Sequence, residues 1–276
     1  MRIQLIVLFV IASTTVLSQN SLPYRDAATI EDKTKVTGLF ISFESLSVTE
    51  QRVLDLTAFS GLNAIDFYAG VPNDVLLDSS QSAGITRLSL NNCGLLEMPS
   101  WMMRSDALRF VRLSSLSVRV NNLKQLPICG LDDLVVLDVS FNPEINVICL
   151  QSTTSLTELL ADGSGLDWSQ FPVGLTNLSM RLHKGRISRN ELACLSPLTG
   201  LRSLDLSTNS ISGKHLLEYI QRSCIDTLYL YNALLTKRQL RALSNERRRV
   251  VFPDRSPRKD AANPINPGST IWRPLY

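Results

Sequence analysis

Histidine is almost absent from this chain: there are two in 276 residues, His183 and His215, and they stand far apart. Neither has cysteine or carboxylate neighbours at metal-ligand spacing, which argues against a zinc site. Gly163-Ser164-Gly165 lacks the preceding glycine of a nucleophile elbow, so the usual acyl-transfer constellation is missing too. The stretch from Lys237 onward is too short to form an independent catalytic domain. No catalytic residue, metal ligand or cofactor is therefore expected. Beyond the first eighteen residues no run approaches the ~20 apolar residues that a bilayer-crossing helix needs. The last residues are polar and proline-rich, without the hydrophobic terminus of a lipid-anchor signal.

The apolar run that does exist is at the start. Met1-Arg2 is followed by aliphatic residues, Phe and Ala from Leu5 to Ala12, then by modest or small side chains at Val16 and Ser18. That is the pattern of a signal peptide, residues 1–18, cleaved after Ser18, and it places the mature protein outside the cell. Residues 19–35 read as an N-terminal cap or linker.

Charge is unevenly distributed. From Lys237 to the end there are ten Lys/Arg against three Asp/Glu, a net of +7; residues 19–236 hold 17 basic and 22 acidic, a net of −5. A basic segment on an acidic body can contact polyanions such as heparin-like glycans or nucleic acid, or can be merely a solvated end. Residues 250–276 contain five prolines and no sign of a packed core, the composition of a disordered tail.

Between these ends the sequence repeats itself. Leu201 to Ile211 reads LxxLxLxxNxI, Leu134 to Asn142 reads LxxLxVxxN, and Ile85 to Leu95 reads IxxLxLxxCxL. Weaker copies start at Val36, Leu62, Leu108, Leu156, Leu175 and Ile225. An eleven-residue frame recurring every 20–29 residues marks a stacked array. Residues at frame places 4 and 6 point to one side of a short strand, because side chains alternate. Leu204 and Leu206, or Leu228 and Leu230, thus enter one interior that a single turn is too thin to enclose.

The frame resembles that of the leucine-rich-repeat superfamily over about residues 36–245. The resemblance implies an α/β solenoid, a horseshoe of about nine repeats across 36–249, with short parallel strands on the concave face. The returning segments should be mixed. Ser47-x-x-Glu50, Ser188-x-x-Glu191 and Thr236-x-x-Gln239 are capping-box patterns at one phase of the turn, and Lys214 to Arg222 has helical spacing. Leu95-x-x-Met98-Pro99 looks extended. The convex side is expected to be extended in the middle and helical towards both ends. Asn fills place 9 only at Asn142 and Asn209 in this register; Cys93 substitutes for it, whereas Leu116, His183 and Ala233 cannot.

The resemblance also implies a recognition role for the concave face, lined by places 2, 3, 5, 7 and 8. In this register Phe110 and Val136 are adjacent at place 3, with Glu158 next to them, and Arg112, Asp138 and Leu160 follow at place 5. These six, with Tyr229 and Tyr231 near the C-terminal end, are the candidate ligand-binding residues. Phe110, Val136 and Leu160 would be apolar groups facing water. Arg112 beside Asp138, and Asp162 beside Arg181, can equally be solvated pairs. Cys129 and Cys149 precede the next repeat starts by five and seven residues, so stacking can bring them within bridging reach. All five cysteines can also be small buried hydrophobes. Asn177-Leu178-Ser179 is a glycosylation sequon whose acceptor falls inside an expected strand.

The expected function is a secreted, non-catalytic module binding a protein or glycan. An inhibitor of a secreted enzyme, or the ectodomain fragment of a cell-surface receptor, are the alternatives. The signal reading carries its own test: mature protein in culture medium should begin at Gln19 by N-terminal sequencing. Cytosolic protein retaining Met1 would contradict it.

Overall fold

The computed structural model describes residues 21–104, 107–108, 110–182, 186–231, 235–236, 238–239 and 249–251. The expected signal peptide, His183 and nearly all of the expected tail lie outside the described residues. One parallel sheet runs the length of the solenoid in eleven strands. In chain order they are β1 (Leu22–Pro23), β2 (Gly38–Ser42), β3 (Ala64–Tyr68), β4 (Arg87–Asn91), β5 (Ser115–Ser117), β6 (Val136–Asp138), β7 (Glu158–Leu160), β8 (Asn177–Ser179), β9 (Ser203–Asp205), β10 (Thr227–Tyr229) and β11 (Arg249–Val251). Each pairs only with its neighbours in sequence, and Leu39, Ile65, Leu88, Leu116, Leu137, Leu159, Leu178, Leu204, Leu228 and Val250 lie opposite one another in register. Apart from Val250, whose side chain is not described, these place-4 residues are essentially inaccessible to water and form one core with the place-6 row.

This register corrects one expected turn. Leu108 does not start a repeat; it lies in a two-residue strand paired antiparallel with Met103–Arg104. The frame starts at Leu113 and reads LxxLxVxxNxL through Leu116, Val118, Asn121 and Leu123. Leu116 is thus a core residue at place 4, and Asn121 occupies the asparagine place. The hairpin lengthens the third turn and shifts everything between Leu108 and Arg112 off the concave face.

Asparagine at place 9 couples the turns. Asn121 Nδ2 donates to the place-6 carbonyl of the preceding turn, Leu90, at 2.7 Å and to Val118 O at 2.8 Å. Its Oδ1 accepts from the Cys93 and Leu95 amides, both at 3.0 Å. Asn142 reaches back to Val118 O and Asn209 to Met180 O in the same way. Cys93 makes a weaker version, its Sγ 3.7 Å from Phe67 O and 3.5 Å from Gly70 O. Ser164 has too short a side chain to cross, and its Oγ bonds Ala161 O within its own turn.

To aim place 9 inward, the residue before it takes left-handed backbone. Ala69, Asn92, Val120, Phe141, Gly163, Leu182 and Thr208 all sit at place 8 with φ between 54° and 61°. Only glycine, and to a degree asparagine, adopts this region without strain, at about 1–2 kcal/mol for other residues. The chain holds Val120, Phe141 and Leu182 there regardless.

The convex side is mixed. Short helices Val48–Arg52 and Ser79–Gly84 lie towards one end, and Arg189–Cys194 and Gly213–Arg222 towards the other. Between them Gln125–Pro127 pairs with Asn146–Ile148 as extended chain. Ser47/Glu50 and Ser188/Glu191 form reciprocal capping boxes, and Thr236/Gln239 exchanges the same bonds. A further box, Asp78/Gln81, has the acidic variant of the pattern. Cys129 and Cys149 are joined by a disulfide between adjacent turns, with Cα atoms 5.2 Å apart.

The ladder should dominate single-residue effects. Asn121→Ala takes the shared oxygen from the Cys93 and Leu95 amides and the cross-turn donor from the Leu90 carbonyl, while Val118 O keeps its bond from Asn142, for an expected loss of ~2–4 kcal/mol in urea unfolding. Ser164→Ala, which breaks one bond inside a turn, should cost ~1 kcal/mol. Equal losses would mean that place 9 does not couple turns.

Candidate functional site

On the concave face the strand residues at places 3 and 5 and the loop residues at places 7 and 8 form rows about 4.8 Å apart from turn to turn. The five turns beginning at Leu113 carry the charge. At places 3, 5, 7 and 8 they hold Asp138, Glu158, Asp162 and Asp205 against Arg119 and Arg181, a balance of +2 − 4 = −2, and the one further charge, Arg202 at place 2, is exposed and donates to the Cys224 carbonyl at 3.2 Å.

Arg181 organises the C-terminal half of this floor. Its Nη2 and Nε lie 2.6 and 2.7 Å from Asp162 Oδ2, and Nε is 3.9 Å from Asp205 Oδ2. Asp162 Oδ1 also accepts from Ser179 Oγ at 2.6 Å and the Arg181 amide at 2.9 Å. Asp138 and Asp205 fold back onto the amides two residues on, Ser140 and Ser207, at 2.9 and 2.8 Å. Burial opposes charge on Arg181, but the carboxylates of Asp162, Asp205 and Asp138 outweigh it and raise its pKa.

The floor is not electrically balanced. Burial pushes the Asp138 carboxyl up, against the pull of Arg119. Burial and the neighbouring Asp138 both push Glu158 up. Asp205 is raised by burial despite its bonds to Ser207 and the proximity of Arg181. Glu158 and Asp138 are thus like charges on the adjacent strands β7 and β6, and of the two only Asp138 has an arginine, Arg119, acting on it.

An apolar rim borders this floor at place 8. Phe141 carries the Arg119 guanidinium 5.0 Å above its ring and leans over Gly163, where an added Cβ would approach the ring to 3.2 Å. Leu182 follows, 51% exposed. Towards the N-terminal end the face changes character: Phe40 and Tyr68 stack at 6.5 Å beside the Asp66–Arg87 pair, which Ser21 Oγ bridges. Asp66 Oδ1 and Arg87 Nε have no hydrogen-bond partner among the described residues.

Most of the expected site residues fall on this face, and two do not. Phe110 is fully buried, edge-on to Trp101 at 6.4 Å, because it precedes the true start of its turn and packs inward. Arg112 is exposed in that same turn, away from the strands. The partner expected of Arg112, beside Asp138, is instead Arg119. Val136 and Glu158 lie side by side at place 3, half-buried, and Leu160 is half-buried beside Asp138 at place 5. Asp138 faces the concave side but is only 5% exposed. Tyr229 is half-buried and Tyr231 is 52% exposed at the C-terminal end of the face. Asn177 lies within β8 beside Glu158, and the Ser179 hydroxyl of its sequon is bonded to Asp162. Arg119, Phe141, Leu182 and Asp205 were missed as candidates. Place 7 of the corrected turn points to Arg119, whereas Phe141 and Leu182 already stand at place 8 of the turns starting at Leu134 and Leu175, and Asp205 at place 5 of the turn starting at Leu201.

Among the described residues no group of three or more His, Cys, Asp or Glu side chains is arranged to hold a metal ion, and no helix is long and apolar enough to cross a membrane.

No family model matches the sequence, and no curated protein matches it. Solved structures do match the fold. TLR13 in its complex with ssRNA13 aligns over 75% of this chain at 15% identity and a TM-score of 0.52. Human 5T4, the Wnt-activated inhibitory factor 1 or trophoblast glycoprotein, aligns over 67% of this chain and 73% of its own at 22% identity and a TM-score of 0.44. The chain spans 33% of the length of the TLR13 chain. The likeness to TLR13, with the parallel sheet and the place-9 asparagines, assigns the leucine-rich-repeat fold.

The raised carboxyls give the site a pH signature. An aspartate whose folded pKa lies above its ordinary 3.8 costs stability as pH rises through that range, and the cost stays in force at neutral pH. Asp138→Asn keeps an oxygen for the Ser140 amide and removes the buried charge. Its melting temperature should exceed that of the parent at about pH 7.5, and the gain should vanish by about pH 3, where both states are protonated. A variant less stable than the parent at neutral pH would show that Arg119 outweighs the burial.

Proposed function

We propose that this leucine-rich-repeat solenoid is a secreted, non-catalytic recognition module whose concave face binds a protein ligand. The observation that carries the reading is the floor from Arg119 to Asp205: a net negative charge beside an apolar rim that is strained in backbone and open to water. Charges arranged in this way steer and orient a partner more than they hold it. The half-buried and exposed apolar groups beside them, Leu160, Phe141, Leu182 and Tyr231, supply the area that excludes water. Glu158, repelled by Asp138 and lacking a cation of its own, suits a lysine or arginine of the partner.

The charge also selects against one ligand class. TLR13 was solved with single-stranded RNA; here an acidic floor would repel phosphates, so a polyanion does not suit this part of the face. A glycan without acidic groups fits the Phe40–Tyr68 end better than the floor. An inhibitor of a secreted enzyme would use the same concave residues, and loss of that enzyme's activity on titration would identify it. A receptor ectodomain would also fit the fold, and a longer transcript encoding a membrane segment would identify that.

Binding to a partner recovered from the medium should fall by more than ~2 kcal/mol, roughly thirtyfold, in the double variant Glu158→Lys, Tyr231→Ala. The melting temperature should change little, because neither side chain enters the core. Arg222→Ala, on the convex helix, should bind as the parent does. Loss of binding in the convex variant alone would move the recognition surface to the other side.

A further inference from the structure

The two arginines of the floor differ in what they bind. Arg181 is committed to Asp162 and lies near Asp205. Arg119 has no such partner: its Nε is buried without an acceptor, and its side chain forms no hydrogen bond or ion pair among the described residues. The acceptors nearest to it in the frame are already occupied. Asn91 Oδ1, at the same place one turn back, takes the Ser117 hydroxyl at 2.7 Å and the Arg119 amide at 3.0 Å. Asp138 attracts Arg119 through space, but its Oδ1 holds the Ser140 amide and the residue is only 5% exposed.

Phe141 holds this arginine in place, its ring centre 5.0 Å from the guanidinium carbon. Stacking on a ring fixes the plane of a guanidinium and leaves its N–H edge free to bond. With Nε buried and Arg119 half-buried at an outward place, the two Nη groups are the part a ligand reaches from the concave side. That end of the fork matches a carboxylate with two parallel bonds of about 2.8 Å. The floor also chooses among anions. A carboxylate touching Arg119 gains more than it loses to Asp138, which stands farther off, because the interaction falls with distance. A phosphate monoester carries nearly twice the charge, and the negative balance of the floor opposes it in proportion.

We infer that Arg119, positioned by Phe141, is a carboxylate-binding residue of the concave face, and that the partner presents an acidic group to it as well as a basic group to Glu158. This rests on the concave face being the recognition surface, and it gives the ligand segment both signs of charge. Arg119 stands at place 7 of the turn starting at Leu113, and Glu158 at place 3 of the turn starting at Leu156. Two strand steps across the sheet and four residues along it put them roughly 16 Å apart. An extended segment of about five residues covers that span.

Capped serine peptides of that length are the probe, with glutamate at one end and lysine at the other, in both orders. Their binding to the full chain is read by NMR from the Arg119 Nε–H signal and the backbone amides. Exchanging the glutamate for glutamine should weaken binding about tenfold. In the lysine-first order, a glutamine peptide left uncapped at its C-terminus separates the two sources of carboxylate: tighter binding than the glutamate peptide assigns a chain terminus, weaker binding a side chain. Arg119→Gln should erase the preference for glutamate over glutamine, while the preference for lysine, which belongs to Glu158, persists. Phe141→Leu keeps the arginine without its ring and should reduce the glutamate preference. That preference is a ratio of two affinities on one protein, so a less stable variant still reports it. Equal binding of the glutamate and glutamine peptides to the parent would overturn the inference. So would a glutamate preference that survives Arg119→Gln, tighter binding of a phosphoserine peptide, or no binding of any peptide at millimolar concentration. If the parent shows no glutamate preference but Glu158→Lys abolishes binding of the lysine peptides, Arg119 holds no ligand and the recognition surface stands.

Discussion

The structure depends on one recurring interaction, a side-chain amide at place 9 bridging the backbone of two turns. Each turn is too small to enclose a core, so its stability comes from its neighbours. The hydrophobic rows supply most of the driving force, but they do not by themselves fix how far one turn is displaced from the next. The asparagine does, because its amide must meet the place-6 carbonyl of the turn before. Where Cys93 or Ser164 replaces it, the bond weakens to a thiol contact or retreats into a single turn. The left-handed residue at place 8 is the local cost of presenting that amide inward.

The same constraint builds the functional surface. Turning place 9 inward pushes place 8 outward, so the rim of the concave face is made of residues whose backbone is already strained. Places 5 and 7 lie close enough across strands for carboxylates and guanidiniums to pair. Four acidic groups share two arginines there, and Arg181 is committed to Asp162. What remains is an acidic floor with a shortage of cations beside an apolar edge, and it is this imbalance that favours a basic, partly apolar partner.

The fold could be read from the sequence because its period is set by chain geometry, and the strand rows and the capping boxes follow from it. The error at Leu108 had a specific cause. Leu108 and Phe110 have the apolar spacing of a frame start, and an inserted hairpin breaks the regular interval at that point. The complete frame from Leu113 to Leu123, with Asn121 in place, was present five residues later. Its consequence was confined but functional: Phe110 and Arg112 were placed on the face, whereas Arg119 and Val120 are there. Which arginine pairs with which carboxylate was not legible, because that depends on side-chain reach across turns of unequal length. The burial of Asp138 was hidden for the same reason, since a concave position is open or closed according to the size of its neighbours.

The composition of the concave face follows from the register, and hydroxyl-radical footprinting of the folded chain tests that register most directly. The account predicts rapid oxidation of Leu182 and Tyr231, intermediate oxidation of Phe141, and protection of Phe110, Leu116 and Trp101 to the level of the core. Oxidation of Phe110 at a rate like that of Tyr231 would contradict it and return the concave surface to a frame that starts at Leu108.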